Sequence, residues 1–129
     1  MALFRCSSGG GGGGSTAKSG TFTLTTAGQS SGSIPTGLTT ISRLVVMGRL
    51  SGSAYECGVT YDKDGARGSN LYFAYSTASG GDQLGWKTIG QEMSDFAPIL
   101  YSISGGDFVV KGASRADVRA AGTYFWYAE

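Results

Sequence analysis

Polar and apolar residues alternate through Thr21-Phe22-Thr23-Leu24-Thr25-Thr26. A period of two is the signature of a strand with one face buried. Gly28 to Gly32 then reads as a loop, and Ile34-Pro35-Thr36-Gly37-Leu38 as a turn-rich lead into the next strand. Ile41 to Leu50 is apolar enough for a central strand, and Ser51-Gly52-Ser53 breaks it. Alternation returns with Tyr55, Cys57, Val59 and Tyr61 on one face. Asp62-Lys63-Asp64-Gly65 predicts a hairpin turn, and Asn70 to Tyr75 the returning strand. Ser79-Gly80-Gly81-Asp82 is a further turn before a short strand over Leu84 to Ile89. Ala97 to Ser104 carries Ile99, Tyr101 and Ile103 on one side, and Gly105-Gly106 folds it tightly onto Asp107 to Lys111. Ser114 to Ala121 has the form of one helical turn, with Ser114 as N-cap and Gly122 as stop. Gly122 to Ala128 is the last strand.

About eight strands, spaced at roughly the interval of all-β domains, predict an antiparallel β-sandwich of jelly-roll-like form. No long amphipathic helix alternates with them, which argues against a βαβ architecture. No internal repeat is present. The sandwich is expected over residues 20–129, in one domain.

Residues 1–19 read as a flexible arm. Six consecutive glycines, Gly9 to Gly14, have maximal backbone entropy and nothing to bury. Leu3 and Phe4 precede them as a small apolar anchor. An anchor on a tether suits docking onto a neighbouring subunit, and a frayed terminus reads equally from the same residues; a cloning linker is a third, less favoured reading, because native residues flank the glycines on both sides.

Three strands are apolar on both faces. Leu71, Phe73 and Tyr75 oppose Tyr72 and Ala74; Phe125 and Tyr127 oppose Tyr124 and Trp126; Phe108-Val109-Val110 behaves similarly. A sandwich strand needs only one apolar face. The second must be covered by a loop, another subunit or a ligand. Tyr and Trp are residues that interfaces favour, so Tyr124, Trp126 and Tyr72 are the expected homo-oligomer interface, joined by Leu3 and Phe4 of the arm. A ring or trimer is the expected form.

Composition then removes several function classes. The chain has 129 residues, 23 of them Gly, with only 15% charged and 40% hydrophobic. Its net charge of +1 comes from scattered Lys and Arg, with no basic stripe for a nucleic acid. No residue is His, which takes away the commonest general base and zinc ligand together. Asp62-x-Asp64-Gly65 begins like a calcium loop, but Ala66 follows and the glutamate is missing. No metal and no cofactor are expected. The apolar run Leu44-Val45-Val46-Met47 is too short to span a bilayer. The opening residues have no apolar signal core, so folding in the cytoplasm is expected. Cys6 and Cys57 are far apart; two unrelated thiols are the favoured reading over a disulfide tying the arm to the body.

Two chemistries remain as alternatives. Trp86, Tyr72, Asp82 and Asn70 lie near strand starts and turns, where aromatic faces and amide or carboxylate groups form a shallow sugar platform. A carbohydrate-binding module is therefore the second reading. The third is a small glycoside hydrolase using two carboxylates. Most of the acids fall in turns, where they cap backbone amides, so a non-enzymatic protein is expected.

The C-terminal string Gly122-Thr123-Tyr124-Phe125-Trp126-Tyr127-Ala128 resembles the last strand of small bacteriophage and prophage tail-fibre or virion proteins. The Gly-rich start, followed by Gly20-Thr21-Phe22-Thr23 and Ser- and Thr-rich strands, is similar in style. The resemblance implies a homo-oligomeric, often trimeric virion subunit, assembled in the host cytoplasm and displayed on the particle. The arm is expected to attach the subunit to other virion proteins, and a host surface glycan is the partner that the sugar-platform reading expects.

Overall fold

The computed structural model describes residues 17–49, 56–64, 70–77, 85–92, 97–112 and 122–129. Nine strands run through them: β1 (Lys18–Leu24), β2 (Ile34–Pro35), β3 (Arg43–Arg49), β4 (Glu56–Asp62), β5 (Leu71–Ser76), β6 (Gly85–Thr88), β7 (Ile99–Ser104), β8 (Asp107–Lys111) and β9 (Gly122–Ala128). They form a six-stranded sheet, β1-β9-β3-β4-β5-β6, and a three-stranded sheet, β2-β8-β7. Every pairing is antiparallel. The expected all-β sandwich is thus present, with its strands divided unequally between the layers. Strand β2 is the addition to the expected set: Ile34 pairs with Phe108 where turn residues alone were read. The proposed helical turn at 114–121 lies outside the described residues.

The smaller sheet covers one face of the larger. Leu44, Val46, Cys57, Val59, Tyr61, Tyr72, Ala74, Tyr124, Trp126 and Ala128 point into the core from the larger sheet, and Leu100, Phe108 and Val110 meet them from the smaller. Phe108 joins the layers, edge-on to Phe22 at 6.4 Å and to Trp126 at 5.7 Å. Beside it, Phe22 stacks on Tyr124 at 5.2 Å, with the rings nearly parallel.

Three glycines in the larger sheet make room for rings, Gly20 and Gly48 on this inner face and Gly58 on the outer one. Each sits directly opposite an aromatic residue on the neighbouring strand: Gly20 opposite Trp126, Gly48 opposite Tyr124 and Gly58 opposite Tyr75. A Cβ on any of them would come within 2.8 Å of the partner ring. The missing side chain lets each ring lie down across the adjacent backbone.

Turn chemistry follows the residues. The β7–β8 hairpin closes through Gly105-Gly106, with positive φ (59°) only on the first, the pattern of a type II′ turn. Asp62 accepts a hydrogen bond from the Asp64 amide at 3.0 Å, which makes it a turn former. The regular alternation expected for Ile99, Tyr101 and Ile103 is broken, because the register shifts between Leu100 and Ser102. Tyr101 is the extra residue of a β-bulge, and Leu100 is the buried one.

Candidate interaction surface

The burial pattern reverses the assignment of the two-faced strands. Tyr72 and Tyr124 are fully buried and Trp126 is 8% exposed, all inside one chain. They cannot form an oligomer interface, because the smaller sheet already covers their face. The aromatic excess lies on the opposite side. Phe125 is 61% exposed, Trp86 43% and Met47 40%.

Register places these residues in two rows across the outer face of the larger sheet. One runs Phe125, Met47, Gly58, Tyr75 over β9, β3, β4 and β5. The other runs Tyr127, Val45, Thr60, Phe73, Trp86 from β9 to β6. Phe73 and Trp86 meet edge-to-face at 5.3 Å. Val45, in the middle of the second row, is itself buried. Met47, Gly48, Glu56, Tyr75 and Phe125 enclose a shallow depression of about 230 Å³. Gly58 is the reason Tyr75 lies low in this surface: its absent side chain leaves room for the ring. Burial pushes the Tyr75 phenol up to about 12, helped by Cys57 and Glu56. At neutral pH the Tyr75 phenol is therefore neutral, and the depression presents aliphatic and aromatic edges with Glu56 on its rim.

The far end of the outer face is ionic. Arg43 lies 3.5 Å from the Asp62 carboxylate and 3.1 Å from that of Glu129. Tyr127 donates a hydrogen bond to Glu129 at 2.9 Å. These charges border the apolar rows.

The residues proposed as a sugar platform do not converge. Trp86 pairs with Phe73 while Tyr72 pairs with Lys87, so Trp86 and Tyr72 point to opposite sides of the sheet. The Tyr72 hydroxyl donates to the Gln91 carbonyl, which makes it a core residue tying down the segment after β6. Asn70 is exposed and accepts the Ile89 amide on its backbone carbonyl. Asp82, and the arm residues Leu3 and Phe4, lie outside the described residues.

Among the described residues, no three His, Cys, Asp or Glu side chains gather as a metal site. Cys57 is a free, buried thiol, 3.8 Å from the Tyr124 hydroxyl. Burial raises it to about 11, so it is neither ionised nor accessible at neutral pH. Cys6 lies outside the described residues.

Sequence reasoning missed Phe125 and Met47. The usable signal was Gly20 and Gly48 opposite the inward Trp126 and Tyr124, but that signal exists only once strand pairing is known. The chain matches no protein-family model, no curated protein and no solved structure.

Proposed function

We propose that this chain is a non-enzymatic structural or adhesion subunit of a phage particle that assembles through the outer face of its larger sheet. The observation carrying the assembly reading is the exposed row of Phe125 and Met47 beside Tyr75, with Phe73 and Trp86 in the next row. One sheet face has its cover within the chain, and the other holds large apolar side chains that a second protein surface would remove from water. The phage setting is supported by the likeness of residues 122–128 and of the Gly-rich start.

Size-exclusion chromatography with light scattering tests this. Wild type runs as an oligomer at micromolar concentration, and Phe125→Asp runs at a smaller mass with an unchanged far-UV circular dichroism spectrum. A monomeric wild type overturns the reading. The mass also counts the subunits, with a trimer among the outcomes. Glycan binding stands as a second reading, favoured by the exposed indole of Trp86. A glycan-array signal lost in Trp86→Ala supports it, and no signal from wild type removes it.

A further inference from the structure

Sheets end in unpaired backbone, and native proteins blunt such edges with short strands, proline, bulges or charge. Among the described residues the two sheets have four edge strands, and three of them are blunted. Strand β2 has two residues, one of them Pro35. Strand β6 has four residues and includes Lys87. Strand β7 carries the bulge at Tyr101, and its Leu100 carbonyl accepts the Gly90 amide at 2.9 Å. The fourth edge is different. Strand β1 is seven residues long, with no proline and no bulge, and its only charge is at its first position, Lys18. Among the described residues, its only strand neighbour is β9.

We infer that β1 pairs with β1 of a second copy, antiparallel about a two-fold axis at Thr21, to join two six-stranded sheets into one. This rests on the reading that the chain self-associates, and it supplies a second, separate contact for doing so.

The sequence of the strand suits that symmetry. A two-fold at Thr21 sets Thr21 against Thr21, Ser19 against Thr23, Gly20 against Phe22 and Lys18 against Leu24. On the outer face this is a ladder of hydroxyl residues. The same pairing already occurs within the chain, where Thr23 and Thr123 face each other with hydroxyls 3.5 Å apart. On the inner face, Gly20 opposite Phe22 repeats the glycine-to-aromatic pairing used elsewhere in the sheet. The two Lys18 residues fall at opposite ends of the joint, roughly 20 Å apart at about 3.4 Å per residue, so they do not repel at close range.

The joint also extends the apolar surface. Thr21 lies in the row of Phe125 and Met47. Across the joint the row becomes Met47, Phe125, Thr21, then the same three residues of the second copy in reverse. The two Phe125 side chains would stand roughly 14 Å apart, three strand spacings of about 4.8 Å. The dimer would thus present one surface of twice the width.

A charge swap at position 21 tests the joint. Thr21 is exposed on the outer face and contributes nothing to the core. Thr21→Lys and Thr21→Glu would each set like charges opposite one another across the axis. Each variant alone is expected to self-associate at least about tenfold more weakly than wild type by sedimentation equilibrium. An equimolar mixture of the two is expected to recover the affinity, which a misfolded variant could not do. If neither variant weakens association, or if the mixture fails to recover it, the inference is overturned. Loss of association in Phe125→Asp with none in Thr21→Lys would leave the outer-face reading standing and remove this one. The reverse result would keep the edge joint and remove the outer-face contact. A monomeric wild type overturns both.

Discussion

The ring of Tyr124 lies flat across Gly48 on the neighbouring strand, so close that a Cβ on Gly48 would fall 2.5 Å from Tyr124 Cδ2. The glycine therefore belongs to the binding pocket of the ring. Phe22 stacks on the other side of Tyr124, and Phe108 closes the cluster against the smaller sheet. A side chain at position 48 would disturb a cluster in which the two layers meet.

Gly48→Ala is accordingly expected to destabilise the fold by about 1–3 kcal/mol, the range for overpacking a tight core. Intrinsic strand preference runs the other way, since alanine is entropically easier to order than glycine. Urea denaturation of Gly48→Ala separates the two effects. Introducing Gly48→Ala into a Tyr124→Leu background should cost markedly less, because the clashing ring is gone.

Gly106→Ala should be among the most damaging glycine substitutions. Its Cβ would approach the Leu38 backbone carbonyl to 1.7 Å, and backbone cannot move aside as a side chain tip can. The Gly106 carbonyl also accepts the Thr36 amide at 3.0 Å and the Thr36 hydroxyl at 2.6 Å. Loss of the folded signal in thermal melts, or a fall in stability of about 3 kcal/mol or more, is the expected result.

Tyr72 and Trp86, neighbours on adjacent strands, should respond unequally to truncation. Tyr72→Ala opens a core cavity and is expected to cost about 3–5 kcal/mol. Trp86→Ala removes a half-exposed ring with one edge-to-face partner, and should cost about 1–2 kcal/mol. Equal losses for the two in chemical denaturation would contradict the assignment of faces.

Alkaline pH should weaken the fold before neutral or mildly acidic pH does. Burial raises the Cys57 thiol from 9.0 to about 11 and the Tyr72 phenol from 10.0 to about 12, and pushes Tyr124 further in the same direction. In each case the folded chain holds its proton longer than the unfolded chain. Stability is therefore fully present below about pH 9 and falls as the pH rises towards 12. For Cys57 alone the change is about 3 kcal/mol, at about 1.4 kcal/mol per pH unit. Melting temperatures that stay flat from pH 8 to 11.5 would contradict it. In the same folded protein, Cys57 should resist a thiol reagent until denaturant is added.

Much of the fold was legible in the chain. Gly122 to Ala128 was read as a strand and is one residue for residue. Cys57, Val59 and Tyr61 were read as one face and are buried together. The Gly105-Gly106 turn was visible because only glycine takes positive φ without cost. Strand β2 was not legible, since two residues carry no period. The Tyr101 bulge was not legible either, because a bulge is a mismatch between two strands and leaves no mark in one.

The interaction surface is where sequence and structure part. Alternation in Tyr124-Phe125-Trp126-Tyr127 and Leu71-Tyr72-Phe73-Ala74-Tyr75 determined that each strand has two faces and which residues share them. It did not determine which face goes inside. Both faces are apolar, so the hydrophobic effect, which depends on area and not on direction, scarcely distinguishes them along a single strand. The choice was made by partners far away in the chain. Gly20 and Gly48 made room for Trp126 and Tyr124, and Phe108 on the second sheet capped them. Once those rings were enclosed, the two-residue repeat left Phe125 on the outside.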